Sequence, residues 1–284
     1  MPRATSYPSA EGPVLGLETM NRRRSPRPVQ ARTDEQLAAE WDQVAAGRDQ
    51  LIAEGRDLSY HYILLPALLQ LSTEWLKPNH RILDAGCGTG KFASELARDH
   101  PKSQITGVDP SASSIEIAQA NRPVVDNVEF HCMSVEAYVA AKELQPFDLI
   151  IANMLLQNVS SLSSVLDACA RVLSPTGAFV FAVPHPCFWP RYWKYEKAPW
   201  FRYNKETWIE APFRTSLAPD TVVTTSHTHR PLQSYFEAFT LAGLVVEELI
   251  EPYPDQGVEG AYPIAWEFPR FLLGRCRPQR RETS

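Results

Sequence analysis

Apolar and polar positions follow two periods along the chain. Apolar side chains recur every three or four positions through residues 34–55 and 60–76, which predicts two helices, with Thr33 capping the first. From residue 81 onward, short β-rich runs alternate with stretches of helical period. The five runs are RILDAG, SQITGVD, NVEFHCM, FDLIIAN and AFVFAVP. This alternation predicts a parallel sheet with helices on both faces.

Two further apolar runs, LVVEELIE and FLLGRC, are expected to close the sheet at its far edge, which makes seven strands. The chain has 284 residues, 44% of them hydrophobic, which is enough for one catalytic domain with appendages. Since it contains neither an apolar stretch of membrane-spanning length nor a secretory signal, we expect a soluble, cytoplasmic protein without a membrane partner.

Charge divides the chain into a basic start and an acidic body. Residues 1–33 carry a net charge of +4 within a chain of −5, which leaves −9 for the remainder. We predict a disordered basic tail over these residues, because a proline-rich basic segment without apolar periodicity cannot build a core. An acidic body disfavours a nucleic-acid partner. Five widely spaced cysteines indicate reduced thiols, and no metal site is expected.

The segment RILDAGCGTGK, residues 81–91, places three glycines in five positions directly after an apolar run. Such a bend lets the backbone approach a ligand that side chains would block. A Walker-type phosphate loop does not fit, because Phe92 stands where a Ser or Thr should meet magnesium. The dinucleotide fingerprint fits incompletely, since Lys91 occupies its third glycine position, with Gly90 beside it.

The acid and glycines of this bend, followed by an acid at the end of the next strand, resemble the first motifs of class I S-adenosylmethionine-dependent methyltransferases. The residues that carry the pattern are Asp84, Gly86, Gly88, Gly90 and Asp109. The resemblance implies S-adenosyl-L-methionine as the cofactor and a Rossmann-like fold of the α/β class. In that family the glycine bend lies against the amino-acid part of the cofactor. The acid after the second strand, here Asp109, accepts hydrogen bonds from the ribose hydroxyls.

The resemblance extends over roughly residues 80–250 and assigns further cofactor contacts. FDLIIANMLLQNV is similar to the fourth strand of the family and its following loop, which places Asn153 beside the cofactor. Ser134 stands where the family often has an acid that binds the adenine amino group, and Glu136 follows two residues on. The adenine contact is therefore assigned to Ser134 and Glu136.

The predicted domains follow the basic tail: an N-terminal helical lid over residues 34–78, then a methyltransferase domain over 79–284 with a cap insertion at 184–230. Family members often fold a helix over the cofactor before the first strand. Tyr60 and Tyr62 stand in that region, where a tyrosine can donate to the cofactor's carboxylate or shield the methyl group from water.

Residues 184–213 contain ten aromatic residues in thirty positions, with prolines that argue against a continuous helix. This density predicts a cap whose rings enclose an apolar or π-rich substrate, or an insertion with a small core of its own. Basic residues of the same segment, on an acidic body, indicate an anionic small molecule such as a carboxylate or a diphosphate. The candidate substrate-binding residues are Trp189, Arg191, Tyr192, Trp193 and Trp200.

Three histidines stand near the expected substrate side: His185 after the fifth strand, and His227 and His229 before a helix. A histidine there can remove a proton from the acceptor. The candidate catalytic residues are His185 and His229, together with Tyr62. His229 can equally cap the helix or bond to a loop carbonyl.

The sequence therefore predicts methyl transfer from S-adenosylmethionine to an oxygen or nitrogen atom of a small molecule, in a setting such as specialised metabolism. Three alternatives stay open. One is C-methylation of an alkenyl (prenyl) diphosphate, with aromatic walls that steady a carbocation. The others are a nicotinamide-dependent oxidoreductase and a non-catalytic adenosyl-binding module. The oligomeric state is open.

Overall fold

A seven-stranded sheet lies at the centre of the computed structural model, which describes residues 25–141, 144–217 and 223–279. The strands in chain order are β1 (Arg27–Pro28), β2 (Arg81–Ala85), β3 (Gln104–Asp109), β4 (Val128–Cys132), β5 (Phe147–Asn153), β6 (Leu173–Pro184), β7 (Thr207–Pro212), β8 (Thr224–His229), β9 (Leu244–Ile250) and β10 (Phe271–Pro278). The large sheet has the order β4-β3-β2-β5-β6-β10-β9. Its first five strands are parallel, and β10 runs antiparallel to β6 and β9. The predicted seven-stranded, mostly parallel sheet is confirmed.

Helices cover both faces of this sheet. They are α1 (Asp34–Ala53), α2 (Leu65–Ser72), α3 (Lys91–Asp99), α4 (Ala112–Ala120), α5 (Val135–Ala141), α6 (Leu162–Val172), α7 (Trp189–Tyr192), α8 (Leu232–Leu241) and α9 (Gln256–Glu259). Thr33 caps α1 as predicted, because its side chain accepts from the Gln36 amide while the Gln36 side chain accepts from the Thr33 amide. In the part of the chain that the structure describes, no helix is long and apolar enough to cross a membrane.

Successive residues of each strand pack into two different cores. Ile82 belongs to a cluster with residues of α2, α3 and α4, whereas Leu83 belongs to a cluster with residues of α5, α6 and α8. Because neighbouring side chains of a strand point to opposite faces, a strand buried on both sides must be apolar at nearly every position. The continuous apolar runs of the sequence have this cause.

The predicted second helix is interrupted by a wide turn. Residues Tyr60–Leu64 form a π-helical turn, and the Leu65 amide donates to the Tyr60 carbonyl, five residues back. Pro66 follows directly, and in a regular α-helix its ring would clash with the carbonyl four residues earlier. The wider turn makes room for the proline and changes the direction in which Tyr60 and Tyr62 point.

A small antiparallel sheet of order β1-β7-β8 stands beside the large one. It contains residues from both the predicted tail and the predicted cap insertion. Arg32 joins its strands to α1, with ion pairs to Glu40 and Glu210 at 3.1 Å each. Of the predicted tail, residues 1–24 lie outside the described residues, whereas Arg27 and Pro28 pair with Glu210 and Ile209 of β7.

Two hydrogen-bonded carboxylates hold α1 against its neighbours. Asp42 Oδ1 accepts from the Ser111 hydroxyl at 2.6 Å and from the Ser113 amide at 2.9 Å, at the start of α4. Glu40 accepts from the Ser226 amide at 2.6 Å, on β8. As a result, α1 lies across the carboxyl ends of the parallel strands and forms one wall of the cleft described below.

Candidate functional site

The glycine bend after β2 packs too closely for larger residues. Gly86, Gly88 and Gly90 have φ values of 72°, 54° and 71°, in the left-handed region that favours glycine. A Cβ atom on Gly86 would also lie 2.7 Å from Leu155 Cδ1. The bend therefore brings bare backbone to the carboxyl edge of the sheet, as the sequence indicated.

Asp109 ends β3 beside this bend and accepts two backbone hydrogen bonds. Asp109 Oδ2 accepts from the Gly88 amide and Oδ1 from the Ser111 amide, each at 2.9 Å. Burial raises the pKa of Asp109, and these two hydrogen bonds oppose that rise. Each carboxylate oxygen has a further lone pair, so Asp109 can still accept from a ligand.

Asp84, at the end of β2, is 1% exposed. Its Oδ2 has no hydrogen-bond partner among the described residues. Burial, followed by the nearby charge of Asp109, raises the pKa of Asp84 to about 7. A buried carboxylate oxygen without a donor is costly, and a ligand with a cationic or N–H group would satisfy it.

Three adjoining cavities form one cleft along this edge. The large cavity measures about 150 Å³, the middle cavity about 80 Å³ and the small cavity about 30 Å³. The large and middle cavities share four wall residues, which we call the junction: Trp41, Arg48, Met154 and Asn158. The small and middle cavities share Arg48, Gly86, Thr89 and Asn153. The glycine bend and Asp109 thus lie in the same cleft as the aromatic residues of the predicted cap.

Arg48 lines all three cavities and was not identified from the sequence. Its positive charge lowers the pKa values of Asp84 and Asp109, although none of the described carboxylates is within ion-pair distance of it. The sequence did contain a signal for Arg48: the residues of α1 that face the cleft recur at helical spacing, and Arg48 is the charged one among them. They are Leu37, Ala38, Trp41, Ala45, Arg48 and Ile52.

The π-helical turn brings one of the two candidate tyrosines to the cleft. Tyr60 is 2% exposed and lines the small cavity with Asp84, and its hydroxyl has no hydrogen-bond partner in the described ranges. Tyr62, in contrast, is 50% exposed and lies outside the linings of the three cavities. The geometry therefore favours Tyr60 over Tyr62 as a ligand contact.

The loop after β5 also faces the cleft. Asn153 lines the small and middle cavities, and its buried Oδ1 lacks a donor among the described side chains and amides. Met154 has φ 56°, an unusual value for a residue other than glycine. The Met154 carbonyl accepts from Gln157 Nε2 at 2.6 Å and from Asn158 Nδ2 at 2.9 Å, which holds this strained turn in place.

Ser134 and Glu136 do not line any of the three cavities. Ser134 Oγ accepts from the Ala137 amide at 3.2 Å at the start of α5, which is an ordinary helix-capping role. Their assignment to adenine therefore stays a prediction that these contacts do not favour.

The predicted substrate residues divide into two groups. Trp189, Tyr192 and Trp193 line the large cavity. Arg191 points outward to Glu267 at 3.1 Å, with 53% of its side chain exposed. Trp200 stacks on Tyr195 at 5.5 Å between ring centroids, against a small core that Tyr195 forms with Phe201 and Ile209. Both predicted uses of the aromatic segment, a cavity wall and a separate core, are thus present.

The two histidines predicted to be catalytic, His185 and His229, form hydrogen bonds with neighbouring parts of the fold. His185 Nε2 lies 2.6 Å from Glu251 Oε1, and its Nδ1 accepts from the Cys187 amide at 3.2 Å. His229 Nε2 lies 2.9 Å from the Tyr203 carbonyl oxygen. Neither residue lines the three cavities of the cleft.

His227 faces the large cavity. Its Nε2 is buried and has no hydrogen-bond partner among the residues that the structure describes. Burial, together with the neighbouring His229, lowers the pKa of His227 to about 4, so the imidazole is neutral near pH 7. His227 and His229 share a face of β8, and only their position along the strand decides which of them reaches the cleft.

The sequence and the fold are both similar to those of known methyltransferases. A family model described as a methyltransferase domain matches residues 76–211. A malonyl-[acyl-carrier protein] O-methyltransferase of Bacillus cereus is 32% identical over 186 residues, which cover 64% of this chain and 68% of that protein. A ubiquinone biosynthesis O-methyltransferase of Albidiferax ferrireducens is 32% identical over 135 residues, which cover 44% of this chain and 52% of that protein.

Among solved structures, an S-adenosylmethionine-dependent methyltransferase from Mesorhizobium loti superposes with a TM-score of 0.53 at 25% identity. The match covers 75% of this chain and 96% of that one. The chain thus spans nearly all of this structural relative, about two thirds of the first sequence relative and about half of the second.

Proposed function

The chain belongs to the class I S-adenosylmethionine-dependent methyltransferases, and from that premise we propose that it methylates an oxygen or nitrogen atom of a small molecule bound in the large cavity. The observation that carries this proposal is the junction, where the walls of the large cavity merge with those of the cavities around the glycine bend. An acceptor in the large cavity would meet the cofactor's methyl group there.

The residues around the two smaller cavities fit S-adenosylmethionine. Its amino-acid part carries an ammonium and a carboxylate. The small cavity offers a buried Asp84 oxygen and the Arg48 guanidinium, which lack a donor and a carboxylate partner, respectively, among the described residues. Asn153 Oδ1 and the Tyr60 hydroxyl are further buried groups that lack partners among the described residues. Asp109, which lines the middle cavity, suits the ribose diol.

The chain's own residues would mainly position the acceptor and exclude water from the site of methyl transfer. When bound, S-adenosylmethionine supplies a methyl group already activated on a sulfonium. Trp41 and Met154 at the junction would exclude water and align the acceptor. His227 lines the large cavity, and its Nε2 has no partner among the described residues, so it would accept the proton of an acceptor hydroxyl or amine. Because its pKa is lowered to about 4, it is a weak base, which favours an acidic acceptor group such as a phenol. We therefore assign the proton-accepting role to His227 in place of His185 and His229.

The alternatives raised by the sequence have less support. The chain belongs to an enzyme family that uses S-adenosylmethionine, which argues against both a nicotinamide-dependent oxidoreductase and a non-catalytic adenosyl-binding module. The large cavity, about 150 Å³ and open to solvent, has room for one aromatic ring, so it gives an alkenyl diphosphate no more support than a single-ring acceptor. Two relatives named as O-methyltransferases support oxygen as the accepting atom.

The test is a turnover assay with purified protein, S-adenosylmethionine and a panel of phenols, amines, carboxylic acids and alkenyl diphosphates. Release of S-adenosylhomocysteine identifies an acceptor, and mass spectrometry locates the new methyl group. We expect methylation at oxygen or nitrogen of a single-ring compound. Methylation at carbon, or of the alkenyl diphosphates alone, would contradict the proposal.

A further inference from the structure

Arg270 places a buried positive charge in the wall of the large cavity. The residue is 3% exposed and directly precedes β10. No carboxylate in the described ranges pairs with it. A buried guanidinium without an acidic partner is unusual, because removing a charge from water costs several kcal/mol unless other groups compensate.

Aromatic rings supply part of that compensation. The Arg270 guanidinium lies over the rings of Tyr192 and Trp266, each at 4.3 Å from the ring centroid, and near Tyr262 at 5.5 Å. Cation–π contacts of this kind stabilise a desolvated cation without neutralising its charge. The positive field of Arg270 therefore persists in the cavity.

The hydrogen bonds of Arg270 leave part of the guanidinium available. Nη2 donates to the carbonyl oxygens of Ile264 at 2.5 Å and Ala265 at 3.1 Å. Nε and Nη1 have no acceptor among the described residues. These N–H groups can donate to an anion in the cavity, and a planar carboxylate suits the geometry of a guanidinium.

The remaining charges of the large cavity also favour an anion. Among the described residues of its wall, the arginines Arg48 and Arg270, neither of which pairs with a described carboxylate, stand with one acid, Asp57. The Asp57 side chain already accepts from the Tyr60 amide at 3.1 Å, at the start of the helical segment. Arg48, Arg270 and Asp57 together carry a net positive charge, although the body of the chain is acidic.

Arg270 lies away from the junction, where methyl transfer is proposed. Arg48 lines all three cavities, whereas Arg270 lines only the large one and is absent from the junction residues. Trp189 and Tyr192 line the large cavity with Arg270. At about 150 Å³ this cavity has the volume of an engineered protein cavity that binds benzene.

We propose that the methyl acceptor is a single-ring aromatic acid whose carboxylate binds Arg270 while its hydroxyl or amine group lies at the junction. The inference rests on the proposed function and names its substrate class. It also explains why a positive, aromatic-walled cavity lies in an acidic protein.

Binding of matched acids and amides to the wild-type protein tests this directly. The probes are benzoate, phenylacetate, cinnamate and their para-hydroxy forms, each paired with its carboxamide, in the presence of S-adenosylhomocysteine. Ligand-observed NMR measures the affinities. We expect acids to bind at least about tenfold more tightly than their amides, since a charge-assisted hydrogen bond is lost in the amide. Equal binding of both sets, or no binding of any acid at millimolar concentration, overturns the proposal.

Phenyl phosphate in the same panel distinguishes the two common anions that arginine binds. Tight binding of phenyl phosphate without binding of the carboxylates would overturn the carboxylate assignment. Binding of the carboxylates at least as tightly as phenyl phosphate supports it.

Two substitutions at Arg270 provide an independent measurement. We expect Arg270→Gln to abolish the preference for acids over amides and Arg270→Lys to retain part of it. Arg191→Gln is the matched control, because Arg191 is an arginine of the aromatic segment 184–213, which supplies Trp189 and Tyr192 to the cavity wall, but is exposed and paired with Glu267. Thermal unfolding and S-adenosylhomocysteine affinity report whether each variant is folded. A folded Arg270→Gln protein that still prefers acids contradicts the proposal.

These measurements keep the inference apart from the proposed function. Acids that bind through Arg270 but accept no methyl group would support the anion site and contradict the proposed methylation of its occupant. Methylation of neutral amides as fast as of the acids would support the proposed function and contradict the carboxylate assignment.

Discussion

Asp109 Oδ2 accepts a hydrogen bond from the Gly88 amide at 2.9 Å, so the acid that ends β3 also holds the glycine bend after β2. This contact joins the two sequence motifs that carry the family resemblance. A change at Asp109 should therefore disturb both the proposed ribose contact and the shape of the bend.

We expect Asp109→Ala to weaken S-adenosylhomocysteine binding at least about tenfold, since losing a charged hydrogen-bond acceptor costs roughly 1.5 kcal/mol or more. Calorimetric titration measures the affinity. Asp126→Ala is the control, because Asp126 is exposed in the loop after α4. An unchanged affinity in Asp109→Ala would refute the ribose assignment.

Arg48→Gln should weaken binding of S-adenosylhomocysteine by about tenfold, because the proposed partner of the ligand's carboxylate loses its charge. The loss should shrink for 5′-methylthioadenosine, which has no amino-acid part. Arg56→Gln, an exposed change just after α1, should leave both affinities unchanged. If Arg48→Gln weakens both ligands equally, Arg48 does not bind the carboxylate.

The raised pKa of Asp84 predicts that the free energy of unfolding of the ligand-free protein depends on pH. Its pKa of about 7 in the fold lies above its ordinary value of 3.8, so between these values the folded state binds more protons than the unfolded state. Stability from this group is therefore present below about pH 4 and is lost as the pH rises to about 7, by at most about 1.4 kcal/mol per pH unit.

Denaturant unfolding at several pH values, with Asp84→Asn as the comparison, measures this dependence. The free energy of unfolding of the wild type minus that of Asp84→Asn should decrease from about pH 4 to about 7 and then level off. A constant difference would show that Asp84 ionises normally. In the wild type alone, cofactor affinity should rise through the same range, because the ionised carboxylate binds the ammonium better.

Tyr60→Phe and Tyr62→Phe form a matched pair. Removing the Tyr60 hydroxyl should weaken S-adenosylhomocysteine binding about two- to tenfold while changing the free energy of unfolding little, because that buried hydroxyl makes no well-formed hydrogen bond among the described residues, although Glu95 lies close to it. Tyr62→Phe should change neither quantity, since Tyr62 is half exposed outside the cavities. If Tyr62→Phe weakens binding and Tyr60→Phe does not, Tyr62 rather than Tyr60 is the ligand contact.

His227→Asn and His229→Asn should separate catalysis from stability. The first should lower turnover with a hydroxyl acceptor by about a hundredfold or more, because a general base is lost. The second should mainly lower the free energy of unfolding by about 1 kcal/mol, since it disturbs the bond to the Tyr203 carbonyl. An acceptor that is already ionised should reduce the effect of His227→Asn. Full activity of His227→Asn on a neutral phenol would exclude the proposed base.

Several site residues were predictable because the pattern that places them is local. The bend and Asp109 follow neighbouring parallel strands, and the carboxyl ends of such strands meet at one edge of the sheet. Asn153 follows the next strand of that sheet by the same rule. The order of strands along the chain was enough to bring these residues together.

The positions of other site residues depend on tertiary packing, which no local sequence pattern shows. Residues two apart on a helical turn point to nearly opposite sides, and only the packing of the turn decides that Tyr60 rather than Tyr62 reaches the cleft. His227 rather than His229 faces the large cavity because of how far β8 extends over the cleft. In the sequence, Arg270 is an ordinary residue before a strand. Only the fold shows that Tyr192 and Trp266 pack against its guanidinium.

The sequence by itself determined the sheet, the bend and the acid that holds it, because hydrophobic period and glycine spacing act between residues close along the chain or on adjacent strands. Only the tertiary structure decided which helix, tyrosine, histidine and arginine complete the cleft. Those choices depend on the rotation of a helix and the path of a long insertion, which are set by packing between segments far apart in sequence.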